Sequence, residues 1–333
     1  MFKFGIELIP AYNYSEVNRY AILAEKSKLE YFLVSDHIRH RNVYVCLTSI
    51  AINTKKIKIG PGVTNPYLIH PVVTAQALLS LSEIAPRRIV CGIGAGDKTA
   101  LSMLDVDREK PLKAIKEAVE IIRRITNEDS LKFRGDVFRI YGAGFSFKVK
   151  ANIPIFIGAQ GPNMAKLAGE IGDGTLVNTA NPKDFETILR QIKEGISNSE
   201  REIKDLEIAI TAPFSISENK DEAIKLAKPI VARIVAGSLD SLLQKHEIRT
   251  EDAAKIKEAI MKGNRDLAYS FVTDEMLEAF SIYGTSDECV EIMDRLFELG
   301  ANSFIAVLPI ESNIIETIGL MKRKILPYFE QSK

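Results

Sequence analysis

The feature that most constrains the fold of this 333-residue chain is a regular alternation between short apolar runs and amphipathic stretches. The apolar runs are typical of buried strands. The stretches after them have apolar residues at every third or fourth position, which is typical of amphipathic helices. The sequence predicts eight strands, over residues 3–9, 31–35, 57–62, 88–93, 154–157, 174–177, 206–212 and 303–308. Eight strand-then-helix units predict an α/β fold, a (β/α)8 TIM barrel.

The region between the seventh and eighth predicted strands is almost wholly helical, from about residue 219 to 299. TIM barrels tolerate insertions of this size, so we expect one domain, residues 1–333, with a helical insertion. Ser15 is a plausible N-cap for the first helix. An open, doubly wound sheet has the same alternation of strands and helices and is the competing fold.

Composition and charge exclude several classes of protein. Lys+Arg and Asp+Glu number 44 each, so the bulk attraction on which nonspecific binding to nucleic acid or anionic membranes depends is missing. The three cysteines are far apart and odd in number, which argues against disulfides or a zinc site and favours the cytoplasm. No apolar run has the length of a membrane helix.

Polar residues that end the predicted strands are the candidates for chemistry, because catalytic groups of such barrels lie at this face. Glu7 is a carboxylate in an apolar first strand, where burial would raise its pKa toward the range useful for proton donation. The alternative is an interior Glu paired with a buried Lys or Arg. The second strand ends in Ser35-Asp36-His37, where Asp36 is either functional or an N-cap.

Glycine-rich turns follow the next strands. The third strand ends in GPGVTNPY, residues 60–67, which predicts an irregular backbone. The fourth strand leads into GIGAGD, which ends at Asp97, but its spacing does not match a dinucleotide-binding fingerprint and argues against NAD. The turns at 158–161 and 178–180 contain small residues before a proline-started helix, which is either an anion site or a plain helix cap.

Together these segments carry a resemblance that runs from the first strand to near residue 310. The chain resembles the family of coenzyme F420-dependent 5,10-methylenetetrahydromethanopterin reductases, within the bacterial luciferase-like superfamily of barrels. The resemblance is carried by FGIEL, SDH, GPGVTNPY, GIGAGD, GAQGPNM (158–164), NPKDF (181–185) and FSIYGTSDE (280–288).

The resemblance implies a bound 8-hydroxy-5-deazaflavin and a non-prolyl cis peptide in the loop after the third strand, at Gly62-Val63. It also implies that Asp97 lines the cofactor ring. The expected cofactor-binding residues are Asp36, His37, Gly62, Val63, Thr64, Asn65, Gly158, Ala159, Gln160, Gly161, Asn178, Thr179 and Ala180.

The activity that the resemblance implies is reversible hydride transfer between reduced coenzyme F420 and a tetrahydromethanopterin-type substrate in archaeal one-carbon metabolism. The methylene bridge of such a substrate needs an acid before it accepts hydride. Glu7 is the first candidate for this acid and Asp97 the second. No metal is expected, and the family suggests a homo-oligomer. The alternatives are an F420-dependent dehydrogenase, an FMN-dependent monooxygenase, and a barrel that only binds deazaflavin.

Overall fold

The structure is a computed structural model that describes residues 2–199, 201–310 and 312–331. The strands are β1 (Lys3–Leu8), β2 (Tyr31–Val34), β3 (Lys58–Pro61), β4 (Cys91–Ile93), β5 (Leu131–Arg134), β6 (Arg139–Ala143), β7 (Ile155–Ala159), β8 (Gly174–Asn178), β9 (Glu207–Ile216), β10 (Ile282–Gly284) and β11 (Ser303–Leu308).

Along the chain, the helices lie between these strands or follow the last of them. They are α1 (Tyr14–Lys26), α2 (Val43–Asn53), α3 (Pro71–Ile84), α4 (Lys98–Ser102), α5 (Pro111–Ile125), α6 (Pro162–Ile171), α7 (Pro182–Ser197), α8 (Lys220–Gly237), α9 (Asp240–Lys245), α10 (Thr250–Met261), α11 (Arg265–Ser270), α12 (Asp274–Phe280), α13 (Ser286–Leu299), α14 (Ile314–Leu320) and α15 (Leu326–Gln331). A 3₁₀ turn spans Ile203–Asp205, and a π-helical turn, Met321–Ile325, joins α14 to α15.

Eight parallel strands form a nearly closed barrel in the order β3-β2-β1-β11-β9-β8-β7-β4. The two ends of this order are joined by isolated parallel bridges, Ile59 with Ile89 and Thr64 with Ile93. The prediction of a TIM barrel is therefore confirmed, and the open doubly wound sheet is wrong. All eight predicted strands are present, within a few residues of their expected bounds.

Residues Gly5–Val177 and Thr187–Ala209 form one compact unit, here called the N-terminal unit. Its parallel strands are buried along most of their length, as expected for strands covered by helices on one face and packed inside the barrel on the other. Among their side chains, Ile6, Phe32 and Ile59 have no exposed surface. The polar stretch after α5 folds into an antiparallel hairpin of β5 and β6.

The C-terminal unit contains residues 178–186 and the chain from residue 210 onward, with the start of β1. Its own apolar core is built from α8 to α12 and includes Val231, Ile256 and Met276. The predicted insertion lies here, between β9 and β11, and it is not wholly helical. Ile282–Gly284 forms β10, which pairs in parallel with the extended end of β9. The description of the chain as one domain stays a prediction.

One expectation about a helix start and one of the alternatives left open for Asp36 are wrong. Asn13, and not Ser15, is the N-cap of α1, because its side chain accepts from Glu16 N while the Glu16 carboxylate accepts from Asn13 N. Asn42, and not Asp36, caps α2. Asp36 is therefore free for another role. Among the described residues, none of the helices combines the length and the apolar character that a membrane span requires.

Candidate active site

Glu7 lies near the carboxyl end of β1, next to the residue that follows β2. The hydroxyl of Ser35 donates to Glu7 Oε1 at 2.6 Å, so a hydroxyl occupies the place that a buried Lys or Arg would take in the alternative interpretation. Burial raises the pKa of Glu7 to about 7, although the Ser35 hydrogen bond acts in the opposite direction. The side chain keeps some exposed surface. Glu7 can therefore both hold and release a proton near neutral pH.

Asp36 and Thr64 come together from the loops after β2 and β3. Thr64, which has no exposed surface, donates its hydroxyl to Asp36 Oδ2 at 2.7 Å. Burial raises the pKa of Asp36, while the Thr64 hydroxyl and the His37 charge work against the rise. A hydrogen bond thus joins these two loops, which the resemblance assigned to one ligand.

A tyrosine that the sequence analysis did not single out lies beside this pair. The hydroxyl of Tyr44, in the first turn of α2, is buried and has no hydrogen-bond partner among the described residues. Burial, together with the nearby Cys91 and Asp36, raises the pKa of Tyr44, whereas the hydroxyls of Thr74 and Thr64 act in the opposite direction. The phenol therefore stays protonated, and it can donate to a bound molecule or to these threonines.

The loop after β3 places Val63 over a set of glycines. The peptide bond between Gly62 and Val63 is cis. A Cβ at Gly94 would lie 2.7 Å from Val63 Cγ2, and one at Gly92 would lie 3.2 Å from Val63 Cγ1. At Gly158 the same distance would be 3.5 Å, so the Val63 side chain rests where β4 and β7 lack side chains.

This loop also reaches the carboxylate of β1. A Cβ built on Gly62 would lie 3.3 Å from Glu7 Cδ, so the carboxyl group is beside the backbone of the loop. The structure thus brings Glu7, Gly62 and Val63 to one place, and Gly158 joins them through Val63. The GIGAGD glycines were quoted for the resemblance, and the close approach of the loop after β3 gives Gly92 and Gly94 a physical role.

Two predicted residues have local structural roles. Asn65 Oδ1 accepts from the backbone N–H groups of Tyr67 and Leu68, at 3.2 and 3.0 Å, and so holds the loop after β3. Asp97 is exposed and is the N-cap of α4, where it accepts from Thr99 N at 2.7 Å. Capping already engages one oxygen of the Asp97 carboxyl group, in contrast to the carboxyl group of Glu7, which caps no helix.

His37 lies in the loop between β2 and α2. Its Nδ1 accepts from Arg39 N at 3.2 Å, and its ring is 5.3 Å from the ring of His40. These contacts shape the loop that carries Asp36. Within the described residues, no group of three or more His, Cys, Asp and Glu side chains is arranged to hold a metal ion.

The turn at 158–161 starts α6. Gly161 is the N-cap and Pro162 follows it, so the cap residue has no side chain that could accept from the first-turn amides. A Cβ built on Gly161 would meet nothing within 4 Å, so the space in front of this helix start is open. Ala159 is buried and Gln160 is exposed. The turn presents backbone donors at the positive end of a helix, which suits an anion.

The turn at 178–180 follows β8. Asn178 is exposed, whereas Thr179 and Ala180 are buried. The Thr179 hydroxyl accepts from Asn181 N at 3.3 Å, and Asn181 Oδ1 accepts from Lys183 N at 2.9 Å. This turn is therefore tied to the first turn of α7 through side-chain hydrogen bonds.

Residues 2–303 match the sequence profile of the family described as luciferase-like monooxygenase. The chain belongs to this family. Within it, the luciferase-like chain is similar to the 5,10-methylenetetrahydromethanopterin reductase of Archaeoglobus fulgidus, with 41% identity over 98% of this chain and 99% of the relative. The corresponding reductase of Methanolobus tindarius is 38% identical over 97% of this chain and 99% of its own length.

A solved structure extends the similarity from sequence to fold. The luciferase-like chain matches the coenzyme F420-dependent tetrahydromethanopterin reductase of Methanopyrus kandleri with a TM-score of 0.92 and 35% identity. The match covers 98% of this chain and 99% of the other. The similarity is therefore not confined to the barrel strands but includes the inserted helices.

Site residues that the sequence analysis missed fall into two kinds. Ser35 was noted only as part of SDH, and its adjacency to Glu7 follows from the β1–β2 register, in which Glu7 is opposite Leu33. Strand pairing in a barrel could have suggested this. Tyr44 had no such signal, because a tyrosine in the first turn of a helix is ordinary in sequence.

Proposed function

We propose that the protein catalyses reversible hydride transfer between reduced coenzyme F420 and 5,10-methylenetetrahydromethanopterin, giving the 5-methyl form. The observation that carries the proposal is Glu7, a carboxyl group with a pKa near 7 beside the loop after β3. The full-length similarity to reductases named for this reaction supports it.

Glu7 is the proposed proton donor. The substrate carbon bridges two nitrogens, and it accepts hydride only when a proton on one nitrogen weakens the bridge. A pKa of about 7 keeps a usable fraction of Glu7 protonated at neutral pH. Ser35 keeps the carboxyl oriented through its hydrogen bond to Oε1. Asp97, already used as a helix cap, is the second candidate.

The cofactor is the proposed source of the hydride. When bound, reduced coenzyme F420 supplies the hydride from its deazaflavin ring, and the protein supplies position and proton. Asp36, Thr64 and the Gly62-Val63 segment are proposed to hold the ring, with His37 and Asn65 shaping the loops around it. The protonated, buried hydroxyl of Tyr44 fits a ring that carries polar atoms.

The phosphate side of the cofactor is proposed to meet the turn at Gly158–Gly161. The open space at Gly161 and the uncapped start of α6 fit an anionic group. The resemblance assigns the turn at Asn178–Ala180 to the same side of the cofactor.

The setting of the reaction is also a proposal. We propose a homo-oligomer in the archaeal cytoplasm that works in one-carbon metabolism and does not bind nucleic acid. The three cysteines are buried and unpaired, which suits a reducing compartment. Sedimentation velocity would measure the oligomeric state.

An F420-dependent dehydrogenase and an FMN-dependent monooxygenase are the alternatives within the same superfamily. Neither is favoured, because the reductases match at up to 41% identity over nearly the whole chain. An FMN monooxygenase would bind FMN and consume oxygen, whereas the proposed enzyme would do neither.

The test is direct. Purified protein is mixed with reduced coenzyme F420 and methylenetetrahydromethanopterin without oxygen, and the visible absorbance of oxidised F420 is followed. We expect the absorbance to rise only when both substrates are present. No rise with this pterin, together with oxygen consumption with reduced FMN, would replace the proposal with the monooxygenase alternative.

A further inference from the structure

An ion-pair cluster in the C-terminal unit joins two segments that lie far apart in sequence. Asp184 is in the first turn of α7, and Lys245 and His246 are at the end of α9 in the insertion. Asp184 Oδ1 accepts from Lys245 Nζ at 2.7 Å, and Asp184 Oδ2 accepts from His246 Nε2 at 2.9 Å. Both carboxylate oxygens are therefore held by the insertion.

The cluster lies in a mostly buried environment. The side chains of Asp184 and His246 are 13% and 9% exposed, and the His246 ring meets Phe280 edge to face at 5.4 Å. Burial alone would raise the pKa of Asp184, but the hydrogen bonds and charges of His246 and Lys245 hold it below its ordinary value. A buried ion pair must offset a large desolvation cost, so it contributes little to net stability but defines one geometry.

The geometry that the cluster defines includes the turn after β8. Asn181 caps α7 by accepting from Lys183 N, and Phe185 N donates to Asn181 O at 3.0 Å. Thr179 accepts from Asn181 N. The residues from Thr179 to Phe185 thus form one hydrogen-bonded segment. Asp184 contacts the insertion from within this segment.

The two sequence segments that the proposed chemistry does not use meet in this cluster. Asp184 belongs to NPKDF and Phe280 to FSIYGTSDE, and His246 contacts both. We propose that Asp184 is a positioning residue that, through Lys245 and His246, lets the insertion fix the turn at Asn178–Ala180 for the cofactor. This inference rests on the proposed function, and none of the three residues needs to touch the cofactor.

The test compares cofactor binding with catalysis. Asp184→Asn removes the negative charge of the carboxylate that Lys245 and His246 both contact, and His246→Leu removes the Nε2 donor. We expect the Kd and KM for coenzyme F420 to rise by about tenfold in both, with kcat within about threefold of the unmodified enzyme, because misplaced binding groups weaken binding. His246→Gln places an amide donor near the position of Nε2, and we expect it to restore most of the affinity.

The chain offers a matched control. Asp252, also in the insertion, accepts from Arg249 at 2.7 Å and from Lys255 at 2.9 Å, and its side chain is 17% exposed. Asp252 and Lys255 lie in α10, and Arg249 is the N-cap of that helix. Asp252→Asn therefore removes the same kind of interaction without touching α7, and we expect an unchanged Kd.

The outcomes separate the two proposals. If the unmodified enzyme turns over F420 and pterin but Asp184→Asn and His246→Leu bind F420 normally, the positioning role is overturned and the proposed function stands. An equal loss of affinity in Asp252→Asn would also overturn it. Should Asp184→Asn fail to fold, Lys245→Met carries the same test, because Lys245 is half-exposed. An unmodified protein that does not bind F420 overturns both proposals.

Discussion

The behaviour of Glu7 depends on two opposing effects at a single side chain. Burial favours the neutral carboxyl group, and the Ser35 hydroxyl, as a donor to Oε1, favours the ionised one. Burial is the larger effect and leaves the pKa at about 7. A small change in either effect would move the pKa across the pH range in which the enzyme works.

Replacing Glu7 by Gln keeps its size and removes its proton. If Glu7 is the acid, kcat should fall by about 100-fold, as for other general acids, while the Kd for coenzyme F420 stays within a factor of about two. Stopped-flow turnover and cofactor titration measure the two quantities. A fully active Gln variant would move the acid role to Asp97 or to water.

Ser35→Ala is the matched control for the same site. It removes the hydrogen bond that favours ionised Glu7, so the pKa of Glu7 should rise further and the high-pH limb of the kcat profile, where the general acid loses its proton, should shift to higher pH. The carboxyl group itself remains. A pH profile identical to that of the unmodified enzyme would mean that another group controls it.

At the level of elements, the start of α6 is open to a direct test. Gly161→Asp would cap the helix well, so we expect no loss in thermal midpoint, but its charge would repel a cofactor phosphate. The Kd for F420 should rise by about tenfold or more. Gly161→Ala is the control, because its Cβ meets nothing within 4 Å. Equal affinity in both variants would remove this turn from the cofactor site.

The packing of β4 against the loop after β3 gives a second prediction for an element. A Cβ at Gly92 would lie 2.2 Å from Pro61 O, which the backbone cannot accept, whereas the closest contact of a Cβ at Gly158 is 3.5 Å. Gly92→Ala should therefore lower the thermal midpoint by many degrees or prevent folding, and Gly158→Ala should change it little. Calorimetry would measure both, and similar midpoints would contradict this account of the packing.

The limits of prediction from sequence are clearest for elements whose signal is not local. Buried parallel strands are continuous apolar runs, and this is why all eight were found. β10 has only three residues, too few to show a period, and it forms because β9 extends to Ile216. Asn13 outcompetes Ser15 through a reciprocal bond with Glu16, which propensity alone does not show.

Prediction of the candidate site from sequence was limited in the same way, because only some of its residues have a local signal. Glu7 was found because a carboxylate in an apolar strand is unusual in any fold, and the loop residues came from the resemblance. The contact of Asp184 with His246 joins residues 62 positions apart, so no local pattern announces it. The Tyr44 hydroxyl is unusual only because it is buried in the folded protein, and the sequence around it does not indicate this burial.

For the whole molecule, Glu7 links global stability to pH. The folded protein holds a proton on Glu7 up to about pH 7, whereas the unfolded chain releases it near 4.5. The folded state thus binds more protons in this window, so the free energy of unfolding contributed by Glu7 falls as the pH rises from 4.5 to 7.

The measurement is the difference in thermal midpoint between the unmodified protein and Glu7→Gln across this window. Gln does not titrate, so we expect the midpoint of the unmodified protein to fall relative to the variant as the pH rises, and the difference to be constant above pH 8. Parallel curves throughout would mean that Glu7 has the same proton affinity in both states.

The closure of the barrel between β3 and β4 has a consequence for how the molecule moves. Two isolated bridges join these strands, whereas β1 and β2 pair along four consecutive residues. A seam with fewer paired residues is expected to open more readily than one with continuous pairing, and the β3–β4 seam runs beside Val63. The backbone amides of this seam should exchange with deuterated water sooner than those of β1. A ligand bound against Val63 would join the two strands and slow this exchange.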